Sequence, residues 1–191
     1  MNRTFLTWTR TIHIYLTMAA LALMLFFAVT GFTVNHEDWF GATTPRIRNV
    51  SGTTPMEWVK AEDKLRIVEH LRSALGVSGA MTDFETDDEK YRVVFKGPGR
   101  VCEAAIVRAD GRTDVEIKTF GLMGRINDLH RGRDAGEGWR WVIDASALLI
   151  VLASATGLIL WLALPKRRKL GIAWLVVGVG ASVGFYWMMV P

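Results

Sequence analysis

The sequence has little cysteine and almost no charge near its ends. Its 191 residues contain one cysteine, Cys102, which excludes an internal disulfide and a cluster of several thiolate metal ligands held by this chain alone. Before Glu37 the only charged side chains are Arg3 and Arg10, whereas residues 35–139 carry 16 Lys or Arg and 18 Asp or Glu. Half of all residues are hydrophobic and the mean hydropathy is +0.21. This composition indicates a membrane protein with one charged middle segment.

Three apolar runs predict three transmembrane helices. Residues 12–34 contain no formally charged side chain, and at helical rise they span roughly 34 Å, enough to cross a bilayer core. This run is longer than the apolar core of a secretory signal peptide, which favours an uncleaved signal anchor. The other two runs, residues 141–164 and 171–190, are separated by a short basic turn at 165–170 and are predicted to form a helical hairpin.

The distribution of basic residues predicts the orientation of the chain. The N-terminal tail 1–11 and the turn 165–170 together hold six Lys or Arg and no acidic residue, so the positive-inside rule places both in the cytoplasm. Residues 35–139 and the C-terminus are then periplasmic, in a multi-pass protein of the bacterial inner membrane. The isoelectric point of about 9.5 therefore reflects orientation in a lipid bilayer, and no nucleic-acid partner is expected.

One helix followed by strands is predicted for the middle segment. Thr54, Pro55 and Glu57 are typical of a helix start with a capping box, and Gly76 is typical of a helix end. Beyond Gly76 the apolar residues alternate with a period of two, and short turn sequences separate the runs. The four predicted strands cover residues 80–86, 90–96, 101–108 and 113–119. The expected fold class is therefore membrane α-helical, with a small extracytoplasmic α+β domain in which one helix packs on an antiparallel meander.

Nothing in the middle segment is typical of a catalytic centre. It contains no glycine-rich phosphate loop, no His-x-x-x-His spacing and no Ser/His/Asp constellation. Cys102 falls on a predicted strand, where a small buried side chain is the expected role rather than a reactive thiol.

Short motifs in a particular order resemble the PepSY-associated transmembrane helix family. Thr30-Gly31 lies in the first span, Leu129-His130-x-Gly132 precedes the second, and Thr156-Gly157-x-x-x-Trp161 lies inside the second. Arg10-x-x-His13 at the start of the first span adds to the match, which covers residues 10–164. The resemblance implies an inner-membrane protein with a PepSY-like outer domain. Some proteins of this type are similar to haem-containing ferric-siderophore reductases or to electron carriers for periplasmic flavoproteins.

The sequence also departs from that family. Its members usually have four spans, whereas this sequence shows three, and it contains no segment typical of a nucleotide-binding domain that would accept a hydride. The resemblance therefore implies at most an electron-transfer component of a membrane reductase. Its expected partner is a periplasmic redox protein or a ferric chelate.

His36 and His130 are the candidate axial ligands of a haem b iron. On the predicted topology His36 ends the first span and His130 approaches the second, both at the outer side. Two imidazoles facing each other across a helix pair make a low-spin site that transfers electrons, because no iron position stays open. His13 lies roughly 34 Å from His36 along a helix, so a second haem would need a further ligand, for instance from another subunit. Arg131 and Arg140 are candidates to bind the haem propionates.

Two alternatives remain open from the residues alone. The histidines are also compatible with ordinary interfacial positions, in which case the protein is a haem-free interaction or regulatory module whose outer domain binds a protein partner or modulates a protease. A divalent metal held by His130 with His36, Glu37 or Asp38 is disfavoured because these residues lack a regular ligand spacing.

Two further features concern the second and third spans. Asp144 lies one turn into the second span, where Arg140 at position i−4 is expected to pair with it. The third span carries small residues along one face, which lets helices approach closely and predicts packing against the first span or a homodimer. These small residues are Gly178, Gly180, Ala181, Ser182 and Gly184.

Overall fold

The computed structural model describes residues 2–191, so Met1 of the predicted tail 1–11 lies outside the described residues. The helices are α1 (Arg3–Asn35), α2 (Met56–Lys60), α3 (Lys64–Leu75), α4 (Gly121–Arg131), α5 (Glu137–Leu162) and α6 (Pro165–Met189). The strands are β1 (Arg46–Thr53), β2 (Ala80–Thr86), β3 (Lys90–Gly97), β4 (Arg100–Val107) and β5 (Arg112–Thr119), and a short 3-10 helix covers Glu37–Phe40. The chain divides into two compact units, one of which is Leu25–Asp144, while the other joins the chain up to Met24 to Ala145–Pro191.

Helices α1, α5 and α6 are long and apolar enough to cross a membrane, which confirms the three predicted spans. Their ends differ from the prediction. Helix α1 already begins at Arg3, within the predicted tail. Pro165 is the first residue of α6, so the basic run at 166–169 is helical and does not form a turn. Proline fits there because the first N–H groups of a helix have no intrahelical acceptor to lose.

The helix predicted from Thr54 to Gly76 is interrupted. Glu62 has a φ of +52°, and Asp63 then caps α3 by accepting a hydrogen bond from the Arg66 N–H. The predicted end is confirmed, because Gly76 has a φ of +66° after the last residue of α3. Two short helices therefore replace one long helix.

Thr54 does not cap α2 as predicted. Its hydroxyl is buried and lies 2.8 Å from the hydroxyl of Thr113 on β5, while α2 begins after Pro55 without a side-chain cap. The local sequence pattern predicts that the Thr54 hydroxyl caps α2. In the folded protein this hydroxyl instead bonds to Thr113 on the sheet.

The strands form one antiparallel sheet in the order β1-β5-β4-β3-β2. The four predicted strands are confirmed to within one residue at each end. Strand β1 was not predicted, and it pairs with β5 so that Arg46 lies opposite Thr119 and Thr53 opposite Arg112. Six of its eight residues are exposed, with only Val50 and Gly52 partly buried. An edge strand of this kind lacks the alternation of apolar and polar residues that identifies the others.

One face of this sheet packs against α3. The helix contributes Ile67, Val68, Leu71 and Leu75 to the core. The sheet contributes Tyr91, Val93, Phe95, Cys102, Ala104, Ile106, Val115 and Ile117. The expectation for Cys102 is confirmed, since its side chain is fully buried and its thiol is free.

Helix α4, which follows β5, was not predicted. It ends at Arg131 and is followed by Gly132 in the left-handed conformation, with a φ of +68°; its buried residues are Gly124 and Asn127. Because α4 carries the Leu129-His130 motif, it places His130 in the last turn of a helix.

Candidate functional site

His130 contacts α1 through a hydroxyl group. Its Nδ1 lies 2.7 Å from Oγ1 of Thr30, which is buried. A Cβ atom on Gly31 would lie 3.3 Å from Cε1 of His130, so the ring packs against helix backbone there. The ring of Phe27 lies 5.5 Å away between centroids. Thr30 and Gly31 thus form a notch in α1, here called the Thr30–Gly31 notch, which receives the His130 ring.

A cluster of polar side chains joins α4 to the end of α1. Asn127, which is 1% exposed, has its Oδ1 2.8 Å from the Thr33 hydroxyl and its Nδ2 3.3 Å from a Glu37 carboxylate oxygen. Arg131 pairs with the same Glu37 oxygen at 2.7 Å. Buried polar groups are stable only when they are bonded, so this cluster holds α4 in one register beside α1.

A tryptophan orders the segment that follows α4. The indole N–H of Trp139 donates to the Leu129 carbonyl at 2.7 Å. Its ring packs edge to face against that of Phe26, with 6.1 Å between the ring centroids. The last turn of α4 and the first turn of α5 are therefore bonded directly, next to His130.

His13 makes a similar set of contacts in the other unit. Its Nδ1 lies 2.8 Å from Oγ1 of Thr156 on α5. A Cβ atom on Gly157 would lie 3.2 Å from Cε1 of His13. Thr156 and Gly157 thus form a second notch, the Thr156–Gly157 notch, built from the same two residue types as the first.

The hydrogen bonds of the two histidines indicate which ring nitrogen carries the proton in each. A threonine hydroxyl has one proton, and a carbonyl oxygen only accepts. The Thr30 hydroxyl donates to the Phe26 carbonyl at 2.6 Å, so we assign Nδ1 of His130 as the donor in its bond to Thr30. In the neutral ring Nε2 then carries the lone pair.

The same reasoning assigns the proton of His13. The Thr156 hydroxyl donates to the Leu152 carbonyl at 2.8 Å, so Nδ1 of His13 donates to Thr156. Nε2 of His13 is again the nitrogen without a proton in the neutral ring.

His36 lies just after α1 and has other partners. Its Nδ1 donates to the Phe32 carbonyl at 3.0 Å, which also leaves Nε2 with a lone pair. Its ring lies 4.4 Å from that of Phe32 and 4.1 Å from that of Trp39. Within residues 2–191 no ring contact joins His36 to His130, so the two predicted ligands occupy different surroundings.

His70 differs from the other three histidines. Its Nε2 donates to the Thr53 carbonyl at 2.9 Å, its ring centroid lies 5.5 Å from that of Trp58, and its side chain is half-buried. Because His70 lies on α3 against the sheet, it serves as a matched control for the others.

The two arginines proposed for haem propionates are paired with carboxylates. Arg131 binds Glu37, as described above, and Arg140 binds Glu137 at 2.8 Å. Arg140 was expected to pair with Asp144, but it pairs instead with Glu137, three residues earlier in α5. A propionate at either arginine would compete with a protein carboxylate.

Two other features concern metal ligands and the surface of α6. In the described part of the chain no group of three or more His, Cys, Asp or Glu residues is arranged to hold a metal ion. Helix α6 is exposed along its small-residue face, and a Cβ atom on Gly178, Gly180 or Gly184 would meet nothing within 4 Å. The homodimer through this face stays a prediction.

The contact between each histidine and a Thr-Gly pair was missed from the sequence. Thr30 and His130 are 100 residues apart, and His13 and Thr156 are 143 apart. One feature of the sequence could have suggested these contacts. Each of the first two spans contains a Thr-Gly pair, and each span also has a histidine in it or just before it. Local sequence patterns do not show which histidine contacts which Thr-Gly pair.

Comparison with known proteins identifies a family. A family model described as Putative PepSY_TM-like matches residues 7–191. No curated protein and no solved structure matches the chain.

Proposed function

This chain belongs to the putative PepSY_TM-like family, and from that premise we propose that it binds haem b and passes electrons to a periplasmic acceptor. Its three apolar helices identify it as a multi-pass membrane protein with a small α+β domain. The acceptor in this proposal is a ferric chelate or a flavoprotein, and the chain is the electron-transfer component of a membrane reductase in the bacterial inner membrane. The hydrogen bond between Nδ1 of His130 and the Thr30 hydroxyl is the observation that carries the proposal.

His130 is the proposed first axial ligand. Its Nδ1 donates to Thr30, which fixes the ring orientation and leaves the Nε2 lone pair for iron. Ligating histidines commonly have such a hydrogen bond on the other ring nitrogen, because the bond fixes the tautomer and increases ligand basicity. Haem, when bound, supplies a one-electron couple.

His36 is the proposed second ligand, and it also uses Nδ1 for a hydrogen bond. The donor chemistry of both rings therefore fits haem iron, although each ring contacts its own set of side chains. His13 has the same tautomer through Thr156, and in this proposal it serves a further haem only with a ligand from a second subunit. Arg131 and Arg140 are the propionate candidates, in competition with Glu37 and Glu137.

A reduced-minus-oxidised absorbance spectrum of the detergent-purified protein, with haem quantified per chain, tests the proposal. A b-type site gives sharp α and Soret bands that respond to dithionite, with about one haem per chain for a single bis-histidine site. We expect His130→Ala and His36→Ala each to lose most of this haem, because each removes one axial nitrogen.

His70→Ala is the matched control. Its ring also has one bonded nitrogen, but the residue lies on α3 against the sheet, so haem content should stay at the wild-type value. Normal haem content in His130→Ala would exclude His130 as a ligand. A colourless wild-type protein, produced with ample haem, would overturn the haem proposal.

The packing of the two notches favours a second function. His130 and His13 each lie against a glycine with Nδ1 bonded, so the rings can join helices without a cofactor. The protein would then be a haem-free, membrane-anchored module whose PepSY-like domain binds a protein partner or modulates a protease. A colourless protein whose melting temperature falls in His130→Ala supports this function, whereas a haem-loaded protein contradicts it.

A further inference from the structure

The chain enters and leaves the sheet at the same end. Strand β1 begins at Arg46 and β5 ends at Thr119, and these two residues are paired in the sheet. The segment before β1 comes from α1, and the segment after β5 leads through α4 to α5. This end of the sheet is therefore the one connected to helices that are long enough to cross a membrane.

A cavity of about 550 Å³ lies at this end, between the β3–β4 turn and the first turn of α4. Its walls include Arg100 and Arg125 and no acidic residue. Within residues 2–191 neither arginine forms an ion pair. The Nε atom of Arg100 is buried without an acceptor, while one terminal nitrogen donates to the Gly76 carbonyl. The cavity wall therefore carries two arginines that form no ion pair, and Arg100 also lines a neighbouring cavity together with Glu37, Asp128 and Asp134.

The start of α4 beside the cavity also favours an anion, whereas the Gly99 N–H is already used, because it donates to the Asp128 carboxylate at 2.8 Å. Gly99 has a φ of +67°, and a Cβ atom there would come within 2.7 Å of the Arg125 backbone nitrogen, so the turn and α4 approach closely. Helix α4 begins after Phe120 with no side-chain cap and no acidic residue in its first turn. The free N–H groups of this 11-residue helix add partial positive charge beside the arginines.

Exposed apolar side chains flank the charged cavity. A second cavity of about 380 Å³ shares Leu122 and two neighbouring residues with the first, and Phe40 and Arg46 line it. Leu122 is 69% exposed, and Trp39 beside Phe40 is 73% exposed. Aromatic residues of this kind are enriched at the headgroup level of membranes.

We propose that the Arg100–Arg125 cavity binds the phosphate of an anionic phospholipid headgroup, with the lipid's apolar part lying along Leu122 and Phe40. The two arginines supply charge-assisted hydrogen bonds to phosphate oxygens. The apolar flank and the connection to the membrane-spanning helices favour a lipid over free phosphate. This site uses none of the histidines, so it does not depend on whether haem is bound.

Calorimetric titration of the full chain in a non-ionic detergent tests the site. The titrants are dihexanoyl phosphatidylglycerol below its micelle concentration, dihexanoyl phosphatidylcholine and inorganic phosphate. We expect phosphatidylglycerol to bind most tightly. Arg100→Gln combined with Arg125→Gln should weaken that binding by about tenfold or more, the effect of losing hydrogen bonds to a charged group.

Arg112→Gln is the matched control, because Arg112 is an exposed arginine at the opposite end of β5 and forms no ion pair within residues 2–191. Its affinity for phosphatidylglycerol should equal that of the wild-type chain. Arg125→Gln alone, at an exposed position, tests the site if the double variant does not fold, and it should also bind more weakly.

Two results would overturn the proposal. Unchanged phosphatidylglycerol affinity in folded Arg125→Gln and in the double variant would exclude the site. Equal affinities for inorganic phosphate and phosphatidylglycerol would exclude the lipid as its occupant.

Discussion

Gly31 and Gly157 each face the ring of a histidine. A Cβ atom would lie 3.3 Å from Cε1 of His130 at the first position and 3.2 Å from Cε1 of His13 at the second. These distances are tight for a methyl group and too short for a larger side chain, so glycine sets how closely each ring approaches the helix. The adjacent threonine hydroxyl then fixes which ring nitrogen carries the proton.

We predict that Gly31→Leu displaces the His130 ring and destabilises the protein by about 1–3 kcal/mol, as overpacking does elsewhere. Thermal unfolding in detergent, followed by circular dichroism, measures the change. Gly180→Leu in α6 is the control, because a side chain there meets nothing within 4 Å and should leave the melting temperature nearly unchanged. Equal effects of the two substitutions would show that the Thr30–Gly31 notch does not hold the ring.

At the scale of elements, ion pairs on the exposed face of the sheet connect three neighbouring strands. Glu103 on β4 pairs with Arg92 on β3 at 3.1 Å and with Lys118 on β5 at 3.6 Å. The hydrogen bond from Arg92 lowers the pKa of the Glu103 carboxyl, partly opposed by burial, and Lys118 lowers the pKa further. The folded state therefore favours the ionised carboxylate.

This shift predicts a pH dependence. Because the folded pKa of Glu103 is below its unfolded value, the stabilisation is fully present above the unfolded pKa and is lost as the pH falls through the folded pKa. We expect Glu103→Gln to lower the melting temperature at pH 7, with the difference from wild type narrowing below about pH 4.

Glu57→Gln is the control for that measurement, since Glu57 is exposed and forms no ion pair within the described residues. It should have little effect at either pH. A constant difference between Glu103→Gln and wild type from neutral to acid pH would contradict the assignment.

For the whole molecule, the basic residues are distributed unevenly between the ends of the apolar helices. The start of α6 carries four basic residues, and the start of α1 carries Arg3 and Arg10, with no acidic residue near either. The domain between α1 and α5 carries both signs of charge. The positive-inside rule then predicts a cytoplasmic start of α6 and a periplasmic domain.

Cysteine labelling in intact cells tests this orientation. A membrane-impermeant maleimide should label Arg112→Cys in the domain and leave Arg168→Cys unlabelled until the cells are broken. The unaltered chain provides the control, because its single cysteine, Cys102, is buried and should not react. Labelling of Arg168→Cys in intact cells would reverse the orientation, and with it the periplasmic position proposed for His36 and His130.

Part of the structure could be predicted because it depends on neighbouring residues. Strands β2 to β5 alternate apolar and polar residues between turn sequences, and Gly76 supplies the left-handed residue that ends α3. The break at Glu62 could not be predicted, because the apolar residues Trp58, Ala61 and Leu65 recur at three- and four-residue steps across it, as in a continuous helix. Thr54 has a good local partner in the helix, but a buried hydroxyl on β5 competes for it.

The sequence by itself determined three membrane-spanning helices, four strands and the family, because apolar runs, alternation and short motifs are local or follow chain order. Only the tertiary structure decided that β1 completes the sheet and that α4 carries His130 to Thr30 on α1. It also decided that His36 contacts Phe32 and Trp39. Most of these contacts join residues far apart in the chain, and each residue has competing partners. The free energy of packing and hydrogen bonding in the folded molecule determines which partner is used, and no local sequence pattern contains that information.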